Sequence, residues 1–127
     1  MKKNFLIIED DLVDTKIMEK FLNDVFPENN IYISDSISTA FGIYKKTKID
    51  IILLDLNLPE SIGVGSIKLV KEFSRNTPVI VMTGYLNTNI SRKLQENGAQ
   101  AVISKDKMDD VFTKKLIEKA LDIKFSE

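Results

Sequence analysis

Four continuous apolar runs punctuate the chain: Phe5-Leu6-Ile7-Ile8, Ile51-Ile52-Leu53-Leu54, Val79-Ile80-Val81-Met82 and Ala101-Val102-Ile103, with Ile31-Tyr32-Ile33 as a weaker fifth. They do not alternate with polar residues, which is the pattern of parallel strands covered on both faces. Between them the spacing turns helical. Ile17, Phe21 and Val25 recur four apart, with Met18 and Leu22 beside them and Pro27 beyond the end. Ser36 or Ser38 is placed to cap a helix carrying Ile37, Ala40, Phe41 and Tyr44. Ile67, Val70 and Phe73 suit a third helix, and Ile90 and Leu94 a fourth that stops at Gly98. Val111, Phe112, Leu116, Ala120 and Leu121 suit a last one, and these stripes are expected to be core.

Strand then helix, five times over, predicts a single-domain α/β protein. Right-handed crossovers build an open parallel sheet with helices on both faces. The flavodoxin-like, doubly wound (βα)5 arrangement with strand order 2-1-3-4-5 is favoured, its switch point lying between strands 1 and 3. Chemistry should then gather just beyond the carboxyl ends of the apolar runs.

Composition narrows the chemistry. At 127 residues the chain is long enough to bury a core, with 43% hydrophobic and 29% charged residues. A net charge of −1 without a Lys/Arg block gives no footprint for nucleic acid or an anionic membrane. Cysteine and histidine are absent, so disulfides, thiolate metal sites and imidazole-based triads are excluded. The apolar segment after Met1-Lys2-Lys3-Asn4 is cut short by Glu9, Asp10 and Asp11. That is too short for a signal peptide or a membrane span, and a cytoplasmic protein is expected.

The expectation about strand ends is met four times. Strand 1 runs into Glu9-Asp10, strand 3 into Asp55, strand 4 into Thr83 and strand 5 into Lys105. Converging carboxylates raise one another's pKa values unless a cation joins them. An oxygen-rich, histidine-free site suits Mg²⁺ before Zn²⁺. A carboxylate beside Mg²⁺, an ammonium and a hydroxyl is equipped for phosphoryl transfer, where catalysis is mostly positioning and charge neutralisation. Asp55 would be the nucleophile. Asp11 is expected simply to cap the first helix.

At these positions the chain resembles the receiver domain of two-component response regulators. The matching residues are Ile7-Ile8-Glu9-Asp10-Asp11, Leu53-Leu54-Asp55-Leu56-Asn57-Leu58-Pro59 with Gly63, Val81-Met82-Thr83-Gly84, Gly98-Ala99 and Ile103-Ser104-Lys105. The resemblance spans residues 1–127, with an ordered core expected over about 4–122. It implies that Asp55 is the phosphoacceptor and that Glu9, Asp10, Asp55 and the backbone carbonyl of Asn57 hold Mg²⁺, for which Mn²⁺ could substitute. Thr83 would bond a phosphoryl oxygen, and Lys105 would pair with the phosphoryl charge. The donor implied is a phosphohistidine on a sensor histidine kinase or histidine phosphotransfer protein. The output implied is a change in binding to a downstream protein or fused effector, or a homodimer through helix 4, strand 5 and helix 5. On this reading the protein is a switch rather than an enzyme, with no direct nucleic-acid or membrane binding.

Two positions depart from the family pattern, and a third bears on how long the phosphoryl group lasts. The family usually has a proline, joined by a cis peptide, where this chain has Asp106. A cis bond before a non-proline costs about 3 kcal/mol, so the loop is expected to be trans or strained and held by its neighbours. Val102 stands where many members carry a switching Tyr or Phe, which puts output on the backbone of the 83–89 loop and helix 4. Tyr85 lies where the family tunes the access of hydrolytic water, and is expected to shield the acyl phosphate. Two rivals remain: a degenerate receiver that binds partners without phosphorylation, and a haloacid-dehalogenase-type phosphatase. The latter needs a general acid two residues after its nucleophile, where this chain has Asn57.

Overall fold

The computed structural model describes residues 2–58, 61–84, 88–107 and 111–126, with backbone alone at 57, 58, 61, 62 and 123–126. Five strands, β1 (Asn4–Ile8), β2 (Asn30–Ser34), β3 (Ile51–Asp55), β4 (Val79–Thr83) and β5 (Ala101–Ser104), alternate with five helices. These are α1 (Leu12–Val25), α2 (Ile37–Lys46), α3 (Val64–Phe73), α4 (Thr88–Glu96) and α5 (Val111–Ser126). The strands pair in parallel in the order β2-β1-β3-β4-β5, the flavodoxin-like arrangement that the alternation predicts. A small antiparallel hairpin, Asn57–Leu58 with Ser61–Ile62, follows β3 and was not predicted.

The sheet separates two apolar layers, because successive strand side chains point to opposite faces. Phe5, Ile7, Ile51, Leu53, Ile80, Met82, Ala101 and Ile103 pack against Met18, Phe21 and Leu22 of α1 and Ile117, Ala120 and Leu121 of α5. Leu6, Ile8, Ile52, Leu54, Val79 and Val81 pack against residues of α2, α3 and α4, including Ala40, Ile67, Val70 and Leu94. Strands β1, β3 and β4 are thus covered on both sides, which explains their unbroken hydrophobicity. The edge strand β2 is half-exposed, and its run is correspondingly weaker.

The helical stripes need correction. Ile17, Phe41, Val111 and Phe112 are exposed rather than core, the last two at 66% and 64%. A helix offers the sheet one face, and the five apolar positions read for α5 spread over more than one. In α5 that face is Thr113, Ile117, Ala120 and Leu121, so Val111 and Phe112 fall off it. Thr113 is buried because its hydroxyl donates to the Lys107 carbonyl.

Local signals set the ends that matter for the site. Asp11 caps α1, its carboxylate accepting from the backbone N–H of Asp14 at 2.8 Å, and Ser36 caps α2. Gly98, after α4, sits at φ 117°, where a Cβ would lie 2.8 Å from Cγ of Lys71. The Lys71 ammonium in turn donates to the carbonyls of Ser74 and Thr77, at 3.0 and 2.9 Å, clamping the end of α3 onto the start of β4.

Candidate functional site

Each acidic strand tip is one step beyond a buried run, and the alternation decides where it faces. Glu9 continues the side of Phe5 and Ile7, and Asp55 that of Ile51 and Leu53, which is the side covered by α1 and α5. Both are 2% exposed. The backbone N–H of Glu9 donates to the Ser34 carbonyl at 2.9 Å, extending the β1–β2 ladder by one residue. One Glu9 oxygen, Oε2, accepts from the backbone N–H of Asp11 at 3.2 Å, which aims the other inward. Carboxylate oxygens of Glu9, Asp10 and Asp55 lie within 4.8 Å of one another, with Asp10 exposed to solvent.

Lys105 reaches this cluster from a single 3-10 turn, Lys105–Lys107, that follows β5. Its ammonium lies 2.9 Å from Glu9 Oε1, 3.0 Å from Asp55 Oδ1 and 2.8 Å from Asp14 Oδ2. Only the Asp14 contact has the direction of a hydrogen bond; Glu9 Oε1 and Asp55 Oδ1 are buried ion-pair oxygens without a well-aligned donor. The electrostatics follow. Burial, reinforced by the neighbouring Asp55, pushes the Glu9 carboxyl up to about 7, although Lys105 and the Asp11 N–H pull the other way. For Lys105, burial works to lower the pKa, but the neighbouring carboxylates of Asp14, Glu9 and Asp55 more than offset it, and the pKa rises. Lys105 is therefore a fixed positive charge.

These features fit a divalent cation. Two buried carboxylate oxygens lack an aligned donor, a third carboxylate opens the cluster to solvent, and every side-chain donor is a hard oxygen. That set suits Mg²⁺ or Mn²⁺, which retain waters and take few protein ligands.

The other expected site residues are placed less directly. Thr83 ends β4 next to Met82, the Cα partner of Asp55, and is buried. It continues the alternation of Val79 and Val81 and so belongs to the side of α3 and α4. Asn57 begins the small hairpin, one residue past Leu56, whose N–H donates to the Met82 carbonyl at 3.0 Å. Tyr85 lies outside the described residues. Val102 is half-buried against the α2–α3–α4 layer, and its Cα pairs with that of Val81. Among the described residues no peptide is cis, and Asp106 accepts a hydrogen bond from the Ser104 hydroxyl.

Sequence reasoning missed Asp14. An acid in the first turn of a helix reads as a favourable partner for the helix dipole and nothing more. The available signal was topological, since the first turn of the helix after β1 overhangs the strand tips. A groove of about 550 Å³ runs beside the site between α1 and the Lys105 turn, lined by Ile17, Phe21, Val25, Lys105 and Asp106 among others.

Comparison with known proteins agrees with this geometry. The family model of the response regulator receiver domain matches residues 5–117. The chain is 31% identical over 108 residues to the transcription factor SKN7 of Saccharomyces cerevisiae, covering 83% of the chain but 17% of that protein. It is 29% identical over 101 residues to sporulation initiation phosphotransferase F of Bacillus subtilis, covering 78% of this chain and 79% of that one. Among solved structures it superposes with a TM-score of 0.82 on the receiver domain of a DNA-binding response regulator from Colwellia psychrerythraea 34H, at 26% identity, covering 95% and 99% of the two chains. The chain spans less than a fifth of the SKN7 proteins and 42% of the CtrA regulators it also matches. Among the described residues no helix is long and apolar enough to cross a membrane. The sequence motifs, the strand order and the family match agree, and the chain belongs to the response regulator receiver domains.

Proposed function

We propose that this receiver domain accepts a phosphoryl group on Asp55 in a Mg²⁺-dependent reaction and uses it to switch protein contacts. The observation that carries the reading is the buried Asp55 carboxylate, clustered with Glu9 and Asp10 and held 3.0 Å from the Lys105 ammonium. A buried carboxylate beside a permanent cation is kept oriented, as a nucleophile must be.

In the reaction an Asp55 oxygen attacks phosphorus, the O–P bond forms as the donor's N–P bond breaks, and the leaving imidazole takes up a proton. The Lys105 ammonium neutralises charge on the transferring group, and the Thr83 hydroxyl donates to a phosphoryl oxygen once the group is in place. A Mg²⁺ held by Glu9, Asp10, Asp55 and the Asn57 carbonyl would supply further charge neutralisation there. Response regulators are phosphorylated by histidine kinases, and this chain, without histidine, takes its phosphoryl group from another molecule. Leu12, Val13 and Ile17 of α1, the helix that follows the Glu9–Asp10 strand tip, are exposed apolar residues, and we assign donor docking to them. Output passes through α4, β5 and α5, to a downstream protein, a fused effector or a second copy.

The test is incubation with Mg²⁺ and acetyl phosphate followed by intact mass. Native protein gains one phosphoryl group, whereas Asp55→Asn and chelated native protein do not. Modification of Asp55→Asn to the native extent, or none of the native protein, would overturn the reading and favour a phosphorylation-independent binding module.

A further inference from the structure

Three carboxylates hold the Lys105 ammonium, and one of them, Asp14, belongs neither to the phosphoacceptor nor to the metal cluster. Its contact is the shortest of the three, at 2.8 Å, and the one with hydrogen-bond direction. Asp14 is also fixed in place, since its backbone N–H is held by the Asp11 cap in the first turn of α1.

The arrangement poses a conflict that Asp14 resolves. Lys105 bridges Glu9 Oε1 and Asp55 Oδ1, oxygens of two of the three carboxylates that a divalent ion would also use. An ammonium and a divalent cation repel each other at such distances, which favours moving Lys105 off those carboxylates when the ion is present. An ammonium displaced in this way still has to stay near enough to meet the phosphoryl group afterwards. We propose that Asp14 is the parking site for Lys105. On metal entry the ammonium releases Glu9 and Asp55, stays on Asp14 Oδ2, and passes from there to the phosphoryl oxygens. Asp14 is thereby a positioning residue that acts through Lys105. The proposal rests on the metal-site reading above.

Calorimetric Mg²⁺ titration of four proteins tests it: native, Asp14→Asn, Lys105→Met and the double variant. In the native background Asp14→Asn should weaken Mg²⁺ binding about tenfold, because the ammonium then has nowhere to go but the metal oxygens. In the Lys105→Met background the same change should cost less than about threefold, the through-space effect of one lost charge. Equal losses in both backgrounds would overturn the proposal. A second readout needs no variant: in crystals of native protein grown with Mg²⁺, Lys105 Nζ should lie on Asp14 and off Glu9. An ammonium still on Glu9 beside the ion, or swung into solvent, would overturn it as well. Absence of Mg²⁺ binding by native protein would instead bring down the metal-site reading, and the proposal with it.

Discussion

Replacing Glu9 by glutamine in metal-free protein should stabilise the fold at alkaline pH and leave it nearly unchanged at acidic pH. The Glu9 carboxyl is raised from an ordinary 4.5 to about 7, chiefly by burial. Because the folded pKa lies above the unfolded one, the folded state keeps a proton that the unfolded chain has released between those values. The stability this contributes is complete below about 4.5 and is lost as pH rises through 7. The full swing corresponds to about 3 kcal/mol. Glutamine can still accept from the Asp11 N–H through its carbonyl oxygen, and Lys105 keeps Asp14 and Asp55 as partners. Other carboxylates titrate in both proteins, so the difference between variant and native isolates Glu9. Urea unfolding in the presence of a chelator, from about pH 5 to pH 8.5, should show Glu9→Gln gaining on the native protein by about 2 kcal/mol across the range. Saturating Mg²⁺ should reverse the order, since ligand binding stabilises only the protein that retains the carboxylate. A difference that stays flat with pH, without metal, would refute the claim that burial makes the folded state hold the Glu9 proton more tightly than the unfolded chain does.

Two further predictions concern the frame. Gly98→Ala should destabilise by about 1–3 kcal/mol in urea unfolding, because an L-residue is strained at φ 117° and Lys71 must shift from its place. Ile117→Ala should cost about 2–5 kcal/mol, whereas Val111→Ser should change stability by less than about 0.5 kcal/mol. Comparable losses at the two positions would contradict the assigned inward face of α5.

What the sequence made legible was whatever obeyed one dominant force. Strands β1, β3 and β4 are buried on both faces, so their runs are continuous, and the polar residue ending each run, itself buried, marks the site. Glu9, Asp55 and Lys105 could be read together because parallel topology brings strand tips together wherever they stand in the chain. The helices were harder. Ile17, Val111 and Phe112 are apolar and helically spaced, but they sit beside the inward face rather than on it, and Thr113 was overlooked because its burial depends on one hydrogen bond. Asp14 was illegible for a related reason: its partner, Lys105, is 91 residues away, and nothing local distinguishes it from an ordinary helix-start acid. The paired strands Asn57–Leu58 and Ser61–Ile62 have two residues each, too short for any period to show.

The central claim is that oxygens from separate strand tips surround a single divalent ion. Anomalous scattering from crystals soaked in Mn²⁺ tests it most directly. One peak is expected about 2.0–2.2 Å from carboxylate oxygens of Glu9, Asp10 and Asp55, and it should vanish in Asp10→Asn. A peak elsewhere, or none at saturating Mn²⁺ in native crystals, would contradict the account.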